Sequence, residues 1–201
     1  MMFRKLKRRI EKKTDYYQRL RLLKSGKVRL VVRRSLRSML IQLVEYKPES
    51  DKILMTVTAK HLRKFGWKGG NNIASAYLTG LLAGFEALKK GIGEAILDIG
   101  LHRITPQSKI FAVVKGCNDA GLYVPIGEDV IPSDERVSGK HIEEYAKKLK
   151  DDKERYERQF SQYLKNGLKP EEISSHFEEV KNKIIDTYKD VVKKVKEDGN
   201  E

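Results

Sequence analysis

One cysteine, Cys117, stands among the 201 residues, so no internal disulfide can form and a reducing compartment suits the chain. No apolar run approaches the roughly 18 to 20 residues that cross a bilayer, and the basic N-terminus leads into no apolar signal-peptide core. A membrane partner is therefore not expected, and the cytosol is. The four histidines, His61, His102, His141 and His176, fall in different predicted elements with no neighbour at metal-ligand spacing, which argues against zinc. Cys117 sits among Val113, Val114 and Ala120, the setting of a core thiol and not of a nucleophile. Neither a cofactor nor a small-molecule substrate is indicated.

What is abundant is charge of one sign. The net charge is +14, and residues 1–37 carry nearly all of it, with 15 Lys and Arg against 2 Asp and Glu. Residues 38–140 hold 13 against 11, and residues 141–201 hold 14 against 15. Clustered charge repels itself unless a polyanion neutralises it. Nucleic acid is favoured over a membrane surface or an acidic protein, because membrane-binding basic segments carry a matched apolar face or a lipid site.

The patterning predicts an α/β fold in four parts. Residues 1–27 form a basic RNA-binding arm; Phe3, Leu6 and Ile10 have helical spacing but are too few to hold a helix in water, so order on binding is expected. Residues 28–127 form a mixed α/β core. In it Val28, Leu30 and Val32 alternate with Arg29 and Arg33, the period of a half-buried strand with one basic face. The segments 39–46 and 53–59 continue an antiparallel meander, with Arg34 and Arg37 at the first hairpin tip. A helix follows Asn71 or Asn72, its small residues allowing close approach to the sheet. A short strand at 94–100, a helix at 106–121 and a last strand at 122–127 complete parallel crossovers and a mixed five-stranded sheet with packed helices. Residues 128–140 read as a linker. Residues 141–201 read as a C-terminal helical extension, a hairpin whose stripes include Tyr145, Phe160, Phe177, Ile184, Val191 and Val195.

Two motifs bear on chemistry. The loop "GWKGGNN" at 66–72 sets glycines ahead of a helix, as a phosphate cradle does, but lacks the Lys-Ser/Thr ending of a nucleotide-binding loop; an RNA phosphate suits it equally. Asp98, near the end of a central strand, is where metal-dependent nucleases keep carboxylates, although nothing fixes a second acid beside it. Tyr16, Tyr17 and Trp67 offer planar faces to bases among the cations. An RNA-binding protein is the leading reading; an RNase H-like nuclease and a protein-interaction module with a basic localisation arm are the alternatives.

The stretches "KKTDYYQRLRLL" (12–23), "KHLRKFGWKGGNNIASAYLTGLLAG" (60–84), "LDIGL" (97–101), "VKGCNDAGLYVPIG" (114–127) and "GKHIEEY" (139–145) together resemble a known family. It is the 5S rRNA-binding protein of the large ribosomal subunit, family L-eighteen, in its archaeal and eukaryotic branch. The resemblance runs over roughly residues 3 to 165. It implies a non-catalytic α/β protein whose partners are 5S rRNA, 23S rRNA in the central protuberance, and neighbouring large-subunit ribosomal proteins. Carried onto this chain, the arm residues are Arg4, Lys5, Arg8, Arg9, Lys12, Lys13, Tyr16, Tyr17, Arg19 and Arg21. Arg29, Arg33, Arg34, Arg37 and Gln42 line the sheet face and hairpin tip; Lys64, Trp67, Lys68, Asn71 and Asn72 supply the Gly-rich loop; His102, Arg103 and Lys109 follow Asp98. Arg33→Ala and Arg34→Ala are both expected to weaken RNA binding and to leave stability nearly unchanged.

Overall fold

The computed structural model describes residues 6–190; Arg4 and Lys5 of the arm, and Val191 and Val195 of the last predicted stripe, lie outside them. Two arm helices, α1 (Lys7–Ile10) and α2 (Tyr16–Leu23), precede β1 (Arg29–Arg34), β2 (Met39–Glu45) and β3 (Lys52–Thr58). Then come α3 (Ile73–Lys89), β4 (Ile96–Asp98) and α4 (Lys109–Asp119), followed by α5 (Asp134–Ser138), α6 (Lys140–Lys148), α7 (Lys153–Lys165) and α8 (Ile173–Thr187).

The sheet has four strands in the order β3-β2-β1-β4, not five. β1 pairs antiparallel with β2, Val31 opposite Gln42, and parallel with β4, Val31 opposite Asp98. The fifth strand shrinks to a single bridge between Glu94 and Tyr123. Its backbone is claimed elsewhere: the Asn118 side chain accepts from the Val124 N–H at 2.8 Å and donates to the Val124 carbonyl at 3.2 Å. Pro125 follows, with no N–H to give a ladder.

Inward-facing Leu30, Val32, Ile41, Leu43, Met55 and Val57 form one core with α3 and α4. Asn72 caps α3, accepting from Ser75 N–H at 2.8 Å while the Ser75 hydroxyl accepts from Asn72 N–H at 3.1 Å. The small residues of α3 serve a helix–helix contact more than the predicted helix–sheet one. A Cβ on Gly80 would lie 2.1 Å from the Val113 carbonyl oxygen, and one on Gly116 would lie 2.3 Å from that of Tyr77. The Cys117 thiol donates to the Gly80 carbonyl at 3.3 Å across this contact, and burial pushes it up to about 12, so it stays protonated.

Residues 128–140, expected as a linker, hold a 3₁₀ turn and α5, and Val137 enters the main core. The first predicted C-terminal helix is broken into α6 and α7, because Asp152 accepts from Arg155 N–H and starts a new helix. α8 docks on α3: Ile173, Phe177, Val180 and Ile184 join the main core, Phe177 packs on Tyr77, and Tyr188 stacks on Phe85 with its hydroxyl bonded to Glu86. Burial of such side chains stabilises by about 1.5–3 kcal/mol each. Within the described residues, the stripe of α8 that an interaction module would have offered to a partner is thus covered by the chain itself.

The α3–α4 crossing makes a clear prediction. Gly80→Ala gains about 1 kcal/mol of helix propensity, but it forces two backbones apart, so a net loss of about 2 kcal/mol or more is expected. Thermal unfolding of the variant against the parent measures it.

Candidate nucleic-acid interface

β1 turns Leu30 and Val32 inward and Arg29, Val31 and Arg33 to the other face, as the alternation requires. That face is not open along its whole length. α2, capped by Asp15 accepting from the N–H groups of Tyr17 and Gln18, faces it across a groove, and Arg29 at the base of that groove is only 3% exposed. Arg29 was expected to present its charge to RNA; instead its guanidinium donates to Asp98 at 2.9 Å and to Asp51 at 2.7 Å. Arg33 donates to the other Asp98 oxygen at 3.0 Å and to the Asp98 carbonyl at 2.7 Å. Arg19 of α2 closes the chain with two bonds to Asp51, at 2.8 and 2.9 Å. Three cations and two acids therefore alternate across the arm, the β2–β3 turn, β1 and β4.

The acids were not foreseen in this role. Asp98 is 6% exposed and also accepts from Gly100 N–H at 2.9 Å. Its charge is thus already matched by two guanidiniums, and among the described residues no group of three His, Cys, Asp or Glu is placed to hold a metal ion. The nuclease reading finds no support. For Asp51, burial pushes the carboxyl pKa up, but the hydrogen bonds and charges of Arg29 and Arg19 outweigh that and hold it below the usual carboxylate range.

The exposed cations lie in two places. On the arm, Arg8, Arg9, Lys12, Lys13 and Arg21 face solvent. Tyr17 is 68% exposed with the Arg9 guanidinium 5.3 Å over its ring, while Tyr16 is half-buried. At the sheet end, the β1–β2 hairpin tip carries exposed Arg34 and Arg37 around Leu36, which is 96% exposed. Asn71 holds this tip by donating to the Ser35 and Leu36 carbonyls at 3.0 and 3.2 Å, and Lys109 donates to the Asn71 carbonyl. His102 accepts from Arg34 N–H at 3.4 Å, with exposed Arg103 beside it in the chain. Burial, then the charges of Arg34 and Arg33, lower the pKa of His102, and burial, then Arg34, lowers that of Lys109, which favours the neutral imidazole that accepts from Arg34 N–H.

Several predicted contacts are placed otherwise. Trp67 is 7% exposed and stacks on His176 of α8, centroids 5.2 Å apart and 13° between planes, so its face is not open to a base. Two backbone N–H groups of the Gly-rich loop are taken up within the protein. Lys68 N–H donates to His176, and Asn72 N–H is held by Ser75 and the Gly70 carbonyl. Asn72 also donates to the Tyr163 hydroxyl, and Gln42 to the Thr56 hydroxyl, at 3.0 and 3.1 Å. Lys64 and Lys68 keep exposed side chains. Leu36 was missed; its only sequence signal is an apolar residue inside a charged turn.

An α/β scaffold that engages Asp51 and Asp98 within its sheet face and shows cations on an arm and a sheet end is the form of an RNA-binding structural protein. The chain matches the family described as ribosomal large subunit proteins 60S L5 and 50S L18, over residues 2–94 and 89–127, and belongs to it. It is similar to the large ribosomal subunit protein uL18 of Aeropyrum pernix, 48% identical over 199 residues, which span 98% of this chain and 93% of the relative. It is similar also to uL18 of Staphylothermus marinus, 49% identical over 192 residues, or 92% and 94% of the two chains. As a member of this family it is a structural constituent of the large ribosomal subunit and not an enzyme. Among the described residues no helix is long and apolar enough to cross a membrane.

The geometry separates residues that the alternation treated alike. Asp98→Asn leaves the buried Arg29 short of a counter-charge and should cost about 3–5 kcal/mol. Arg33→Ala should be measurably destabilising, whereas Arg34→Ala should stay within about 0.5 kcal/mol of the parent; urea titration of the three variants ranks them. The lowered pKa of Asp51 means that its share of stability is present above the unfolded carboxylate value, near 3.8, and is lost as pH falls through the folded value. Unfolding midpoints below pH 4 should therefore drop more steeply in the parent than in Asp51→Asn.

Proposed function

We propose that this protein binds 5S rRNA and attaches it to 23S rRNA in the central protuberance of the cytoplasmic large subunit, beside neighbouring ribosomal proteins. The observation that carries the reading is the division of charge: two carboxylates, Asp51 and Asp98, engage Arg19, Arg29 and Arg33 at the sheet face, while the arm cations, Arg34, Arg37 and Arg103 stay exposed. Cations left outside such a network suit a phosphate backbone. The arm and the sheet end then form two contact regions about a rigid body, as joining two RNA segments requires. Arg8, Arg9, Lys12, Lys13 and Arg21 supply phosphate contacts, Tyr17 a stacking face, and Arg34, Arg37, Lys68 and Arg103 the second region. Relatives named as large-subunit proteins support this reading.

If six to ten phosphates are neutralised, affinity for 5S rRNA should fall by roughly 10³ to 10⁵ between 50 and 200 mM salt. Titration of the purified protein against 5S rRNA with tRNA as competitor, at both salt concentrations, tests this. Tight 5S binding that survives tRNA is expected; equal affinity for both RNAs would count against 5S rRNA as the partner.

A further inference from the structure

α2 does not close onto the sheet. None of its residues is fully buried, and its firm anchor is the Arg19–Asp51 ion pair where a core helix would use interdigitated apolar side chains. Between α2 and the outer face of the sheet lies a groove of about 540 Å³, within the roughly 300–1,000 Å³ that holds small ligands. Half-buried Tyr16 and Leu22 line it from the arm, and Val31 and Gln42 from the sheet. Its charged lining is five cations, Arg8, Lys13, Arg19, Arg29 and Arg33, against Asp15, Asp51 and Asp98. The three acids are already engaged, Asp51 and Asp98 by guanidiniums and Asp15 as the cap of α2. The excess charge thus falls to Arg8, which bonds only the Thr14 hydroxyl among the described residues, and to Lys13, whose pair with Glu11 is at the surface and weak.

We propose that this groove holds one unstacked nucleotide of the bound RNA, with the base between Tyr16 and the Val31–Gln42 surface and its phosphate against Arg8 and Lys13. The proposal rests on the RNA-binding reading above and adds a site to it. An apolar ligand would leave the cations unmatched, and a lone anion would leave most of the volume and the aromatic wall unused. A nucleotide uses all three features: a planar face for Tyr16, a hydrogen-bond donor for the Gln42 amide oxygen, which the bond of its NH₂ to Thr56 leaves free, and a phosphate for the mouth.

Two variants approach the groove from opposite walls and leave every cation in place. Gln42→Trp fills it from the sheet, and Tyr16→Ala removes the stacking wall of the arm. Each should weaken 5S rRNA binding by about tenfold, with an unchanged salt slope and, for Tyr16→Ala, an unchanged melting temperature. Wild-type affinity in both, in a protein that still prefers 5S rRNA to tRNA, overturns the groove alone. Loss in Gln42→Trp only, which an arm lifted by the tryptophan would produce, also overturns it. A parent protein with no preference for 5S rRNA overturns the partner assignment instead.

Discussion

The buried guanidinium of Arg29 constrains the rest of the molecule. Moving a charge out of water costs several kcal/mol, and only close counter-charges in good geometry offset it. Asp98 and Asp51 meet that demand from β4 and from the β2–β3 turn, so β4 must lie parallel to β1 in the one register that sets Asp98 beside Arg29. Asp51 has room for a second cation, and Arg19 takes it, which fixes α2 over the sheet. One unmet charge thereby specifies a strand register, a turn and the path of the arm. Such a network contributes more to uniqueness than to net stability, since an apolar replacement of equal volume would cost less to bury.

The opposite side of the sheet carries the stability. Gly80 and Gly116 let α3 and α4 touch backbone to backbone, and α8 seals α3 with Phe177, Val180 and Ile184. Trp67 and His176 tie the loop before α3 to that same helix. A body braced in this way can bear a surplus of positive charge on its far side without yielding to self-repulsion. The surplus is graded: nearest the sheet two acids offset most of the charge of three cations, around the groove three acids stand against five cations, and on the arm and hairpin tip the charge is open to a polyanion.

Local pattern determined much of this. The period of two in 28–33, the Asn-capped run from Ile73 and the excess of 15 cations over 2 acids in residues 1–37 are properties of neighbouring residues, and they defined an α/β RNA-binding protein with a basic arm. The order of the stretches from "KKTDYY" to "VPIG" pointed to its family. Whether a given side chain is free to act depends on residues far along the chain. Alternation turned Arg29 and Arg33 outward alike, but the first is buried between Asp51 and Asp98 while the second stays half-open. Trp67 looked like a base platform until His176, from a helix over a hundred residues later, covered its face. The last strand failed because Asn118, on the preceding helix, captured the backbone of Val124, a competition between hydrogen bonds that hydrophobic spacing does not register. Periodicity is local and survives in the sequence; burial and the pairing of charges are set by distant contacts, and only the tertiary structure decided them.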